Sequence, residues 1–252
     1  MIIAIDIGNS TIGFGFLNEG RVSHVSVIEN MPDSELVMAK LDNFMATACK
    51  RYAIHKVILC SVVPDTQKML QRKIRKFWKM SALVVGRDVK IPIENKYHHP
   101  RQVGKDRLLC AFAAREFYGV PLVVIDLGTA ITFDGVSPAG AYLGGAIIPG
   151  IRLSLEALFE KTALLPRVQV AEPKKVIGRS TEESIQSGIF HGYGALCDGM
   201  VDRLGEEMGC SPKVIMTGGH AGNMRRFMKH PVAAVDQELI FKGMALLAEH
   251  QG

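Results

Sequence analysis

Two short stretches carry residue types that could do chemistry together. They are "AIDIGNSTIGFGF" at 4–16 and "VIDLGTAITFDGV" at 124–136. At a constant offset of 120 residues they share Ile5/Ile125, Asp6/Asp126, Gly8/Gly128 and Gly15/Gly135. Each is an apolar run ending in Asp-x-Gly and followed by a second apolar segment. A glycine corner of this kind exposes backbone N–H groups that bind phosphate oxygens, and Asn9, Ser10 and Thr11, or Thr129 and Thr132, add further donors. The neighbouring carboxylate repels phosphate, but it can hold Mg²⁺ or its waters and so bridge acid to phosphate. One such turn is a common strand ending. A folding turn need not recur with its acid, so the repeat points to two jaws gripping a polyphosphate. That is the equipment of phosphoryl transfer, where positioning and charge neutralisation supply most of the catalysis.

The elements that must position these turns follow from the pattern around them. Residues 2–7, 12–17 and 21–28 read as a three-strand meander with turn signals at Gly8-Asn9 and Asn18–Gly20. Leu36, Leu41, Phe44, Met45 and Ala48 then fall near helical spacing, with Asp33 or Ser34 available as N-cap. "KVILCSVV" (56–63) is a buried strand, followed by a basic helix near 65–78 and a short strand at "ALVVG". The second half restarts the pattern. "PLVVIDL", "AITFDGV" and "GAYLGGAII" are strands and "IRLSLEALFEK" opens a helix. A long helix follows Thr181, "KVIMTGG" is a strand entering a glycine turn, "VAAV" is a strand, and "QELIFKGMALLAEH" is a closing helix. The expectation is an α/β protein of two domains of like topology with a cleft between them. The boundary is placed in the helix from about Gly104 to Tyr118, giving domains 1–117 and 118–252.

Bulk properties narrow the class. The chain has 252 residues, 48% hydrophobic and 22% charged, enough for a substantial core and unlike a disordered chain. The net charge of +5 suits an anionic ligand or an ordinary solvated surface. The nearest approaches to a basic stripe, "KKVIGR" at 174–179 and "NMRRFMK" at 223–229, are short for a nucleic-acid binder. Cys49, Cys60, Cys110, Cys197 and Cys210 show no paired spacing and read as reduced thiols. "MIIAID" reaches an acid at once and reads as a strand, not a signal peptide. No apolar run approaches the ~20 residues that span a bilayer. A cytoplasmic protein is expected, with no membrane or nucleic-acid partner.

The two turns are similar to the phosphate motifs of the acetate/sugar kinase, heat-shock ATPase and actin superfamily. More narrowly, the chain resembles type III pantothenate kinases along almost its whole length. The resemblance rests on "DIGNS" at 6–10, "P…GKDR" at 100–107, "DLGTAITFD" at 126–134, "YLGGAIIPGI" at 142–151, "GRSTEESIQSG" at 178–188 and "TGGHA" at 217–221. It implies two ribonuclease H-like (actin-like ATPase) domains of duplicated topology around a nucleotide cleft. It also implies ATP-dependent phosphorylation of pantothenate to 4′-phosphopantothenate, the first step of coenzyme A synthesis. Mg²⁺, a monovalent cation (K⁺ or NH₄⁺) and a homodimer with the pantothenate site near its interface come with it.

Carried onto this chain, the resemblance makes Asp106 the general base and Asp6 the Mg²⁺ organiser, through water. Tyr97, Gly104, Arg107 and Thr181 are the substrate residues, Thr181 reaching pantothenate across the dimer interface. Gly8, Asn9, Ser10, Gly128, Thr129, Thr132, Gly144, Gly145, Pro149, Gly218 and Gly219 line phosphates or nucleotide, with Gly150 beside them, and Asp126 takes the monovalent cation. From the residues alone, Asp106 is a helix-start acid, Tyr97 a loop or core tyrosine, Thr181 a helix N-cap, and the glycine pairs are turns. His98 and His99 read as loop residues. The chain departs from the family pattern at Lys105, where alanine is usual, at Ile131, where threonine is usual, and at Ser180, where asparagine is usual. Ile131 either removes a phosphate-binding hydroxyl or is structural. A non-catalytic or transcriptional accessory factor retaining the fold, or a kinase of another small alcohol, are the competing readings.

Overall fold

The computed structural model describes residues 1–31 and 34–249, so Asp33, one expected cap, lies outside the described residues. The chain divides into two compact units: residues 1–93, 101–113 and 238–252, and residues 94–100 and 114–237.

The first unit is built on a five-stranded sheet. Its strands are β1 (Ile2–Ile7), β2 (Thr11–Asn18), β3 (Arg21–Glu29), β4 (Lys56–Ser61) and β5 (Leu83–Val84), in the order β3-β2-β1-β4-β5. The meander is antiparallel, and β4 runs parallel to β1 and β5. Strand period sorts β1 onto two faces. Ile3, Ile5 and Ile7 join Leu41 and Met45 of α1 (Glu35–Arg51) and Leu70, Ile74 and Trp78 of α2 (Pro64–Trp78) in one core. Ser34 caps α1, its hydroxyl accepting from the Val37 N–H at 3.4 Å. The opposite face carries Ala4 with Ile58 and Cys60. It is covered by Leu109 and Phe112 of α3 (Lys105–Tyr118) and by Phe241 and Met244 of α7 (Leu239–Glu249).

That second face explains why the C-terminal helix is counted with the first unit, where the sequence suggested one cut at 117/118. Gly13 and Gly15 leave β2 bare there, and a Cβ on Gly13 would come within 2.8 Å of the Phe241 ring. Gly243 likewise meets Leu109 of α3 at 2.9 Å from where a Cβ would sit. Such fits depend on strand register, which no local pattern displays.

The second unit repeats the topology. Its strands are β6 (Leu122–Leu127), β7 (Ala130–Val136), β8 (Tyr142–Pro149), β9 (Lys213–Thr217) and β10 (Val232–Val235), in the order β10-β9-β6-β7-β8. Val123, Ile125 and Leu127 of β6 pack on α4 (Ile151–Lys161) and α5 (Thr181–Met208) through Ile151, Leu155, Ile189, Phe190 and Val201. The short α6 (Ala221–Met224) follows β9. Among the described residues, no helix is long and apolar enough to cross a membrane.

Candidate active site

The first glycine turn, Gly8–Ser10, is clamped by a residue that sequence reading missed. Gly8 N–H donates to Thr11 O at 2.9 Å, closing the hairpin. Asn30 then grips the turn from both ends: its Nδ2 donates to Gly8 O at 2.7 Å and its N–H to Ser10 O at 2.9 Å. The buried Thr66 hydroxyl donates to Asn30 Oδ1 at 3.1 Å and fixes that amide. Asn9 and Ser10 stay exposed. Asn30 stands twenty-odd residues from the turn, and no local motif marks it. Asp6 pairs across the sheet with Gly13 and with Cys60, so its side chain lies on the face of β1 that α3 and α7 cover.

The start of α3 brings "GKDR" to the same face. Asp106 Oδ1 accepts from the Arg107 N–H at 2.8 Å, a favourable place for a carboxylate because the helix N-terminus is electropositive. Gly104 is small for that reason: a Cβ there would collide with Asp106 Oδ1. Arg107 is partly buried, with Nη2 shut off from solvent. The buried Cys60 thiol ties these residues together. Burial pushes its pKa well above the ordinary thiol value, the carboxylates of Asp6 and Asp106 push it further the same way, and the Lys105 ammonium opposes them. Two carboxylates and one lysine therefore lie within electrostatic reach of a single thiol in the first unit.

The second turn is shorter by one residue. Ile7 faces Ile12 across the first hairpin, whereas Leu127 faces Ile131 across the second. Gly128 N–H accordingly donates to Ala130 O, at 3.1 Å. Past the turns the structural correspondence is therefore Ile12 with Ile131, Gly13 with Thr132 and Gly15 with Asp134. The Asp6/Asp126 and Gly8/Gly128 matches hold, and the Gly15/Gly135 match does not. Ile131 is fully buried in the core with Leu127, Ile151 and Leu155, the counterpart of the buried Ile12. The structural alternative for Ile131 is the one this geometry supports.

Thr132 lies beside Asp126 on the neighbouring strand. Its hydroxyl donates to Asp134 Oδ2 at 2.8 Å, and the Tyr142 hydroxyl donates to Asp134 Oδ1 at 2.8 Å. With its proton committed to Asp134, Thr132 presents lone pairs, which suit a cation better than a phosphate oxygen. Asp134 and Tyr142 were not singled out from sequence; an acid two residues beyond a threonine on one strand face was the available signal. Gly218 lets the turn after β9 approach closely, since a Cβ would strike Asp126 Oδ1 and the Leu127 backbone. Gly150 N–H donates to Thr129 O at 3.0 Å, tying the start of α4 to the turn, and Gly219 faces open space. Burial, then the Arg152 guanidinium, holds the nearby His220 imidazole below its ordinary value.

Tyr97 is carried by a segment that adds to β8. Tyr142 N–H donates to Glu94 O at 2.8 Å, and Lys96 N–H to Tyr142 O at 2.9 Å. The ring lies over Gly144, where a Cβ would sit 3.2 Å away, and Gly144 has φ +116°. Gly145 packs against the Phe133 carbonyl of β7, and Pro149 pairs with Ala130. Gly144 and Gly145 thus serve contacts within the unit. His98 and His99 lie in the bend that follows. The α5 cap is Ser180, accepting from the Glu183 N–H at 3.2 Å while Glu183 Oε2 accepts from the Arg179 N–H at 2.7 Å. Thr181 is exposed and stands at the first helical position rather than at the cap.

Two sheets of one topology, each ending its central strand in an acid and a glycine turn, define the class as the ribonuclease H-like, actin-like ATPase fold of sugar kinases. The chain aligns over its full length with a ROK family glucokinase from Streptomyces griseus solved with glucose and AMPPNP, at TM-score 0.55, 15% identity and 99% coverage of that chain. A Campylobacter jejuni structure described as a candidate Baf family transcriptional activator aligns at TM-score 0.61 and 21% identity, covering 99% of this chain and 98% of that one. At those identities the likeness is one of fold. Sequence goes further. The model of the family described as type III pantothenate kinase matches residues 2–203. A type III pantothenate kinase of Persephonella marina is 44% identical over 228 residues, 87% of each chain. One of Brevibacillus brevis is 38% identical over 252 residues, covering 99% of this chain and 98% of its own. The chain belongs to the type III pantothenate kinase family.

Proposed function

We propose that the chain transfers the γ-phosphoryl group of ATP to the primary hydroxyl of pantothenate, giving ADP and 4′-phosphopantothenate, with Asp106 as the general base. Family membership carries the reaction. The residue assignment is supported by the place of Asp106 at the start of α3, its carboxylate accepting from the Arg107 N–H at 2.8 Å and within electrostatic reach of the buried Cys60, with which Asp6 pairs. As the hydroxyl oxygen bonds to the γ-phosphorus and the bond to ADP breaks, Asp106 takes the hydroxyl proton. A carboxylate at a helix start need only orient and weakly deprotonate in a loose transition state. Arg107 offers a planar fork to the pantothenate carboxylate. Tyr97 packs against the substrate, and Gly8, Asn9, Ser10, Gly128 and Thr129 present N–H and hydroxyl donors to phosphates, with Pro149, Gly218 and Gly219 near the nucleotide.

Among the described residues no cluster of three or more His, Cys, Asp or Glu could cage a metal. One carboxylate at a glycine turn fits Mg²⁺, which keeps its waters and binds mainly through substrate phosphates. Asp6 would hold it through water, and the ion would neutralise phosphate charge. Asp126 with the proton-committed Thr132 oxygen suits a monovalent cation such as K⁺ or NH₄⁺. The homodimer reading, with Thr181 serving the partner's pantothenate site, is supported by the exposed Leu164 (92%), Val176 (65%) and Ile177 (79%) close before Thr181 in sequence. The reaction and the free thiols support a cytoplasmic setting.

The test is ATP-dependent phosphorylation of pantothenate, with K⁺ exchanged for Na⁺ and with Asp106→Asn. Turnover that K⁺ stimulates and the variant loses is expected. A folded chain that binds ATP without phosphorylating pantothenate would sink the reading in favour of another small alcohol or an accessory role.

A further inference from the structure

Lys105 stands immediately before the base, at the first position of α3. Its stem is laid across Gly86, just after β5: a Cβ on Gly86 would come within 2.8 Å of Lys105 Cδ and Cε. Gly86 has φ +82° and closes its turn by donating to Val89 O at 2.7 Å, so that surface is kept bare by backbone conformation. A lysine at a helix start would ordinarily swing into water. Here the stem is seated and the residue is partly buried. Gly86 follows Val85, whose N–H donates to Leu59 O at 2.8 Å, so the stem is seated near the carboxyl end of β4, where Cys60 pairs with Asp6. The Lys105 ammonium registers its charge at Cys60, where the charges of Asp6 and Asp106 also register. Among the described residues it has no hydrogen-bond or ion-pair partner. A seated cation with unused donors, beside two carboxylates at the carboxyl end of a parallel strand pair, calls for an anionic ligand.

We infer that Lys105 is a further catalytic residue, whose ammonium contacts the transferring phosphoryl group beside Asp106. The inference rests on the pantothenate kinase reading above. The alternative anion, the pantothenate carboxylate, is already assigned to the Arg107 fork in that reading, which leaves the phosphoryl group for Lys105. The role is electrostatic: charge spreads over the equatorial oxygens during transfer, and a fixed cation stabilises it without reorganising.

Substrate and product differ only by the phosphoryl group, so their affinities separate the possibilities. Lys105→Met keeps the stem on Gly86 and removes the charge. We expect kcat to fall roughly 10- to 100-fold, the range of one charge-assisted hydrogen bond. By calorimetry, 4′-phosphopantothenate should bind at least about tenfold more weakly, with pantothenate unchanged. Lys105→Arg should restore most of both, with thermal midpoints of the two variants matching wild type. An unchanged kcat and product affinity in Lys105→Met would overturn the inference, as would equal loss of substrate and product affinity. A wild type that binds neither compound would overturn the parent reading instead.

Discussion

Ile131 is the position where sequence reasoning and structure make different demands. Replacing it with the threonine usual in the family exchanges one methylene for a hydroxyl and deletes the terminal methyl. The side chain is fully buried among Leu127, Ile151 and Leu155. At about 0.8 kcal/mol per buried carbon, two lost groups cost about 1.6 kcal/mol. Burying a hydroxyl adds about 1–3 kcal/mol. A loss of about 2.5–4.5 kcal/mol lowers the thermal midpoint of a chain this size by about 5–18 °C, at about 2–4 °C per kcal/mol. Because the side chain points away from Thr132 and Asp126, KM for ATP should stay within about twofold, a change worth under half a kcal/mol. Differential scanning calorimetry and steady-state kinetics on Ile131→Thr measure both. An unmoved midpoint with a lowered KM for ATP would show that this position faces ligand, and the register argument would fail.

Further outcomes follow from the same geometry. Asp106→Asn should lower kcat by about 10²- to 10⁴-fold while near-ultraviolet dichroism stays native, since the amide keeps its fit against Gly104. Gly144→Ala strains a φ of +116° and presses on the Tyr97 ring. KM for pantothenate should rise several-fold and KM for ATP should not, and the reverse pattern would return Gly144 to the nucleotide. Ser180→Ala should destabilise by about 1 kcal/mol through loss of the α5 cap, read in the urea midpoint, whereas Thr181→Ala should spare stability and weaken pantothenate binding. Cys49 and Cys210 should alkylate rapidly at neutral pH, and the buried Cys60, Cys110 and Cys197 only on unfolding. Burial and Asp198 push Cys197 up to about 12. The stability this thiol contributes is intact below the ordinary thiol value of about 8.5 and is lost as pH climbs toward 12, so an alkaline unfolding limb is expected, weaker in Cys197→Ala.

The strand and helix order was largely legible because binary patterning is local. Ile3, Ile5 and Ile7 announce one buried face of a strand, and Leu70, Ile74 and Trp78 announce one buried face of a helix. The motifs likewise announced where an acid, a glycine and a hydroxyl would meet. What stayed hidden was set by register and by distant partners. Asn30 holds the first turn through two hydrogen bonds that no spacing rule anticipates. Gly144 reads from the residues alone as part of a turn, and its place under Tyr97 is set by the pairing of residues 94–96 with Tyr142. Ser180 and Thr181 are adjacent cap-competent residues, and only the backbone distinguishes the cap from the helical position after it.

The one-residue slip between the two hairpins gives the same acid different surroundings in the two copies. Up to the turn, the copies keep the same acid at the same place beside a parallel strand, facing Cys60 in the first unit and Thr217 in the second. Past the turn, what stands opposite that acid differs. In the first copy the counterparts are Gly13 and Gly15, left bare so that the Phe241 ring can lie flat on the sheet. In the second they are Thr132 and Asp134, and the same positions are filled by a buried hydrogen-bonded set that ends at Tyr142. A helix seated on the first copy supplies a wall for Asp6 and the start of α3. In the second, the polar set begins at Thr132, which pairs with Asp126 across the strands. The strand order is the same in both halves while the side chains opposite the acid differ, and that sheet face is where a divalent, phosphate-bridging role and a monovalent-cation role would have to part.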